Sequence, residues 1–174
     1  MATVREATFD LLRRLEMTTV FGNPGSTELP FLKDFPEDFR YVLGLQEATV
    51  LGMDEGFAQG TGRAALVNLH TGPGLGTAMG AMITAWHDKT PLVVTAGQQN
   101  RRHRSLEPLL TGKLVDLAKP YVKGSFEPVR AEETCQGRSG APTTPRCNSL
   151  RALSSSRSRW TTGTQKQSRW KTTT

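Results

Sequence analysis

Short apolar runs alternating with helical patterns predict an α/β fold: a doubly wound parallel sheet with helices on both faces. Three observations carry the prediction. Ala64–Leu69 and Pro91–Ala96 are mostly apolar runs of strand length, as buried parallel strands are. The segment between them, about Gly74 to His87, is small and apolar, as a helix buried on most sides is. Turn chemistry follows each strand: Asn23-Pro24-Gly25 after the first, and Gly72-Pro73-Gly74 after Ala64–Leu69.

The elements follow in order. Thr3-Val4-Arg5-Glu6 reads as a capping box, and Ala7, Leu11, Leu12 and Leu15 mark one face of the helix it starts. A strand is expected at Thr19–Phe21, a helix start between Thr27 and Asp34, and a second strand at Arg40–Leu45. A helix from about Glu47 to Gln59 carries Val50, Met53 and Phe57 on one face. Gly52 and Gly56 lie on another, where a neighbour could pack closely. After the strand at Pro91–Ala96, the spacing of Leu106, Leu109, Leu110, Leu114 and Leu117 is helical, with a break near Gly112. Tyr121–Phe126 reads as a further strand.

Charge divides the chain. Residues 1–133 hold 14 Lys/Arg and all 16 Asp/Glu, a net of −2; residues 134–174 hold 8 Lys/Arg and no acid. The overall +6 therefore describes a basic tail on a slightly acidic domain, which is a poor basis for a nucleic-acid partner. The tail has no Val, Ile, Met, Phe or Tyr, and 16 of its 41 residues are Ser or Thr, so it is expected to be disordered. The domain is read as incomplete: Glu132-Glu133 looks like the start of a helix, and the apolar pattern stops at Thr134. The fold is thus expected to be truncated before its last helix and strand, with a change of reading frame near Thr134 as the suggested cause. Cys135 and Cys147 have no neighbouring His, so no metal site is expected. No signal peptide or membrane-spanning run is evident, and a cytoplasmic location is the default.

Three strand ends hold the chemistry. In open parallel sheets, ligands bind beyond the carboxyl ends of the strands. Ser26, Glu47 and His70 lie at three such ends and offer a hydroxyl, a carboxylate and an imidazole. Each also has an ordinary explanation: Ser26 as a helix cap, Glu47 as a first-turn acid matched to the helix dipole, His70 as a structural histidine. Gly72-Pro73-Gly74-Leu75-Gly76 lacks the glycine spacing of a dinucleotide site, and tight packing is the simpler reading.

Taken together, these segments resemble one family. Phe21-Gly22-Asn23-Pro24-Gly25-Ser26, then Glu47, then Asn68-Leu69-His70-Thr71-Gly72-Pro73-Gly74, then Val94-Thr95-Ala96-Gly97-Gln98 are similar to the N-terminal, pyrimidine-binding domain of thiamine-diphosphate enzymes. The stretches from Glu28 to Tyr41 and from Glu107 to Thr111 are most similar to the benzoylformate decarboxylases. The resemblance runs from about residue 1 to residue 133. It implies that Glu47 hydrogen-bonds the cofactor's aminopyrimidine and that His70 handles protons on substrate-derived intermediates. It implies that Asn23, Pro24 and Gly25 shape the loop at the cofactor, and that Ser26 binds the substrate carboxylate. Leu109 and Leu110 would line an apolar pocket. Met53-Asp54-Glu55-Gly56-Phe57 departs from the family's Ala-Asp-Gly-Tyr pattern. The Gly-Asp-Gly and Asn-Asn segments that hold Mg2+ in the family do not occur in this chain.

The resulting expectation is a truncated N-terminal fragment of a thiamine-diphosphate-dependent decarboxylase of aromatic 2-keto acids, inactive alone. Its cofactor is thiamine diphosphate, with Mg2+ held by the missing C-terminal domain. The full-length parent is expected to be a homo-oligomer, a dimer or tetramer, without membrane or nucleic-acid partners. Two alternatives stand beside this: the pyrimidine-binding subunit of a split thiamine-diphosphate enzyme, and a non-catalytic nucleic-acid-binding protein acting through the tail.

Overall fold

The computed structural model describes residues 3–127 and the pair Ser154–Ser155. Helix α1, Val4–Arg14, opens on the expected capping box. The Thr3 hydroxyl accepts from the Glu6 backbone N–H at 3.2 Å, and the Glu6 carboxylate accepts from the Thr3 N–H at 2.7 Å. Its buried face matches the expected one in part: Leu12 is buried and Ala7 and Leu11 are half-buried, but Phe9 joins it and Leu15 ends the helix 53% exposed. Phe9 decides this by seating against Phe31, Phe35 and Phe39, an aromatic cluster formed with residues distant in sequence.

Strand β1, Thr19–Asn23, is followed by a one-turn helix α2, Leu29–Leu32, and strand β2, Arg40–Leu43. Helix α3, Glu47–Thr61, stops at Gly62, whose φ of 70° is the left-handed conformation that glycine adopts freely. Then come β3, Leu66–Leu69, α4, Thr71–Asp88, and β4, Leu92–Ala96. The sheet order is β2-β1-β3-β4-β5. The first four strands are parallel, and β5, Ser154–Ser155, pairs antiparallel with Leu92 and Val93. Apart from that pair, the expected tail over 134–174 lies outside the described residues, as does the suggested frame change.

Side chains of the central strands alternate between two layers. Val67 and Leu69 of β3 join the core built with α3, α4 and helix α6, Leu114–Ala118. Leu66 and Val20 point the other way, into the core built with α1 and the aromatic cluster. Helices therefore cover both faces of the sheet.

Three local patterns resolve differently in the structure. The leucine pattern from Leu106 to Leu117 does not make one helix. Helix α5, Arg101–Arg104, and α6 are separated by a loop in which Glu107 and Leu110 have positive φ and Pro108 intervenes. Tyr121–Phe126 forms no strand: a single 3-10 turn, Lys119–Tyr121, carries Pro120 in its middle, and the chain then runs irregularly to Glu127. Gly52 and Gly56 of α3 face open space among the described residues, so no neighbour uses the close approach they allow.

Candidate active site

The carboxyl ends of β1 and β3 position two acid-bearing clusters on opposite faces of one sheet edge. The alternation of side chains sets the sides. Asn23 shares the face of Phe21, toward α3 and α4; His70, just past β3, shares the face of Leu66 and Asn68, toward α1 and α2.

On the α3/α4 side, Glu47 is the first residue of α3, and its Oε1 accepts a hydrogen bond from Asn23 Nδ2 at 3.2 Å. Gly74, in the first turn of α4, lies close against it; a methyl group there would stand 3.1 Å from Oε1. The second oxygen, Oε2, makes no hydrogen bond among the described residues. Glu47 is thus oriented through Oε1, against which Gly74 packs, and is available at Oε2.

On the opposite side, His70 Nδ1 lies 2.8 Å from Glu28 Oε2. The same oxygen accepts from the Gly25 N–H at 2.7 Å, and Glu28 Oε1 accepts from the Thr27 hydroxyl at 2.5 Å. Glu28 is buried, and a methyl group at Gly25 would overlap the His70 ring. The Gly25 turn therefore needs glycine for close packing on His70. Burial and the nearby Glu28 also push the Tyr41 phenol well above its ordinary range. Thr71 follows His70 with φ 49°, an uncommon backbone for a β-branched residue, and its buried hydroxyl has no partner among the described residues. The strain sits at the junction that aims His70.

Of the expected residues, Asn23 and Glu47 meet directly, and Gly25 meets His70 through Glu28 and the imidazole ring. Ser26 is exposed and lines a surface hollow with Leu29, Pro30 and Lys33. The loop holding Leu109 and Leu110 reaches the same sheet end, because the Leu110 carbonyl accepts from the Gly72 N–H at 3.4 Å. Leu109 is 87% exposed there. The Gly72 turn packs against Gly112, and Gly74 against Glu47, so close packing explains these glycines. Sequence reasoning missed Glu28 as a site residue: an acid before Leu29-Pro30 reads as a surface residue, and only its burial reveals it.

A family model, the thiamine pyrophosphate enzyme N-terminal TPP binding domain, matches residues 2–123. The chain belongs to that family. It is 54% identical over 144 residues to a benzoylformate decarboxylase of Pseudomonas aeruginosa, covering 81% of this chain and 27% of the relative. Among solved structures it is similar to a thiamine diphosphate-dependent 4-hydroxybenzoylformate decarboxylase of Rhodococcus jostii, with 54% identity and a TM-score of 0.72 over 74% of this chain and 24% of that one. It is likewise similar to a benzoylformate decarboxylase from Polynucleobacter necessarius, with 57% identity and a TM-score of 0.73 over 75% and 25%. The chain spans about a quarter of the length of these relatives. Among the described residues no cluster of three or more His, Cys, Asp or Glu is placed to hold a metal, and no helix is long and apolar enough to cross a membrane.

The site fits the family's cofactor on this chain's own terms. Glu47 presents at a sheet end a carboxylate oxygen, Oε2, that has no partner among the described residues, while Asn23 and the close-packed Gly74 hold the rest of the carboxylate in place.

Proposed function

We propose that residues 1–133 form the pyrimidine-binding portion of a thiamine-diphosphate-dependent decarboxylase of aromatic 2-keto acids, acting only in company with a diphosphate-binding half that brings Mg2+. The observation that carries this is the Asn23–Glu47 pair, which fixes one carboxylate oxygen and leaves the other for a ligand. Bound thiamine diphosphate supplies the electron sink for decarboxylation. Glu47 holds the aminopyrimidine and exchanges a proton with it through Oε2, while Asn23 keeps the carboxylate oriented. Asn23, Pro24 and Gly25 form the loop beside the cofactor. His70 moves protons on the substrate side. Ser26 offers its hydroxyl to the substrate carboxylate, and Leu109 and Leu110 supply an apolar wall suited to an aromatic ring. The 54% identity to a benzoylformate decarboxylase supports the aromatic substrate class.

The test is a chimera in which residues 1–127 of this chain replace the matching segment of the Pseudomonas aeruginosa relative. Benzoylformate should be decarboxylated, and Glu47→Gln should lower kcat by roughly 10²–10⁴-fold, the scale of one acid–base group. A folded, cofactor-loaded chimera that ignores aromatic 2-keto acids, or one whose turnover Glu47→Gln leaves unchanged, would overturn the proposal.

A further inference from the structure

His70 is held by a residue that lies 42 positions earlier in the chain and that the proposed chemistry does not use. Glu28 accepts three hydrogen bonds: from the Gly25 N–H at 2.7 Å, the Thr27 hydroxyl at 2.5 Å and His70 Nδ1 at 2.8 Å. Its side chain is 2% exposed, against 23% for that of His70. The carboxylate is tightly seated. A methyl group at Gly97 would overlap Glu28 Oε1, and one at Gly25 would overlap the His70 ring. Both partners are therefore pressed into one arrangement by backbone that carries no side chain.

An ionised carboxylate accepts and has nothing to donate. The Gly25 N–H is a fixed donor to the oxygen that also faces Nδ1. The ring nitrogen can meet that oxygen favourably only by carrying a proton. A neutral imidazole has a single N–H, so its other nitrogen, Nε2, then bears the lone pair. Nε2 makes no hydrogen bond among the described residues.

We propose that Glu28 is a positioning residue: it selects the Nδ1–H tautomer of His70 and leaves Nε2 as the nitrogen that meets the substrate. This rests on the proposed proton-moving role of His70, although the tautomer itself does not depend on it. The logic is that of a buried acid orienting a catalytic imidazole through its far nitrogen. The rival is a purely structural Glu28 that only fastens the Gly25 turn, with the His70 ring free to choose its tautomer.

The experiment uses the 174-residue chain, ¹⁵N-labelled, with long-range ¹H–¹⁵N correlation of its three histidines at a pH where the rings are neutral. His70 is assigned by the signals lost in His70→Asn. The unaltered chain should show a protonated Nδ1 and an unprotonated Nε2. Glu28→Gln, which keeps an acceptor oxygen, should preserve that pattern; Glu28→Leu should lose it. A proton on Nε2 in the unaltered chain overturns the proposal, as does an unchanged Nδ1–H tautomer in a folded Glu28→Leu variant. If Glu28→Leu does not fold, the tautomer of the unaltered chain decides. In the chimera, Glu28→Leu should lower kcat roughly 10–100-fold with little change in KM, by the scale seen when an orienting partner is lost. Adding it to His70→Ala should lower kcat no further. A chimera insensitive to Glu47→Gln would refute the proposed function while leaving the tautomer result standing, so the two failures are distinguishable.

Discussion

Asp54 offers the sharpest test of the packing. It lies on the Val50–Asp54–Ala58 stripe of α3, fully buried, with no hydrogen-bond partner on either carboxylate oxygen among the described residues. Burial, helped by the neighbouring Glu55 charge, pushes its carboxyl from an ordinary 3.8 up to about 8. The folded protein therefore keeps this proton where the unfolded chain has shed it. Below pH 3.8 both states hold the proton and the stability is fully present. Between 3.8 and about 8 the unfolded chain binds fewer protons, so stability falls as pH rises; above about 8 the loss is complete. At 1.36 kcal/mol per unit over about three units, the loss at pH 7 is about 4 kcal/mol. Asp54→Ala removes that term and gives up about 1 kcal/mol of contacts. Denaturant unfolding should find Asp54→Ala more stable by about 3 kcal/mol at pH 7 and slightly less stable at pH 4. Glu55, also pushed up by burial, titrates in both proteins and largely cancels in the difference. An identical stability difference at pH 4 and pH 8 would refute the reasoning, because a solvated or paired carboxylate gives no such slope.

Three other expectations follow from the contacts. Gly25→Ala should displace the His70 ring, seen as a large shift of its imidazole signals, and should lower kcat of the chimera about as much as His70→Ala does. Thr3→Ala removes the side-chain half of the capping box and should cost about 1 kcal/mol in denaturant unfolding, with fraying confined to the first turn in hydrogen exchange. In the chimera, Ser26→Ala should mainly raise KM and His70→Ala mainly lower kcat, since a ground-state contact and a proton transfer act at different steps; equal effects on both parameters in both variants would remove the assigned roles.

The strand-helix alternation and most element boundaries were legible because buried parallel strands and amphipathic helices leave periodic apolar patterns. Errors fell where tertiary partners override local pattern. Leu15 reads as core yet is exposed, because Phe9 takes the aromatic seat instead. Leu106 to Leu117 has helical spacing, but the backbone turns out of the helix at Glu107 and Leu110. Gly52 and Gly56 leave room for a close neighbour, and none fills it among the described residues.

By itself the sequence determined the fold class, the family, and the placement of Asn23, Glu47 and His70 at strand ends, since these depend on residue order and strand-length patterns. It also carried the charge division between the domain and its tail. Only the tertiary structure decided that Glu47 and His70 lie on opposite faces of the sheet edge, that Asn23 orients one and Glu28 the other, and that Asp54 is buried without a partner among the described residues. Those facts depend on which segments meet across the sheet. Glu28 and His70 are separated by α2, β2, α3 and β3, and no local pattern encodes the 2.8 Å contact between them. Burial turns a commonplace glutamate into the partner of the imidazole, and burial is a property of the assembled layers.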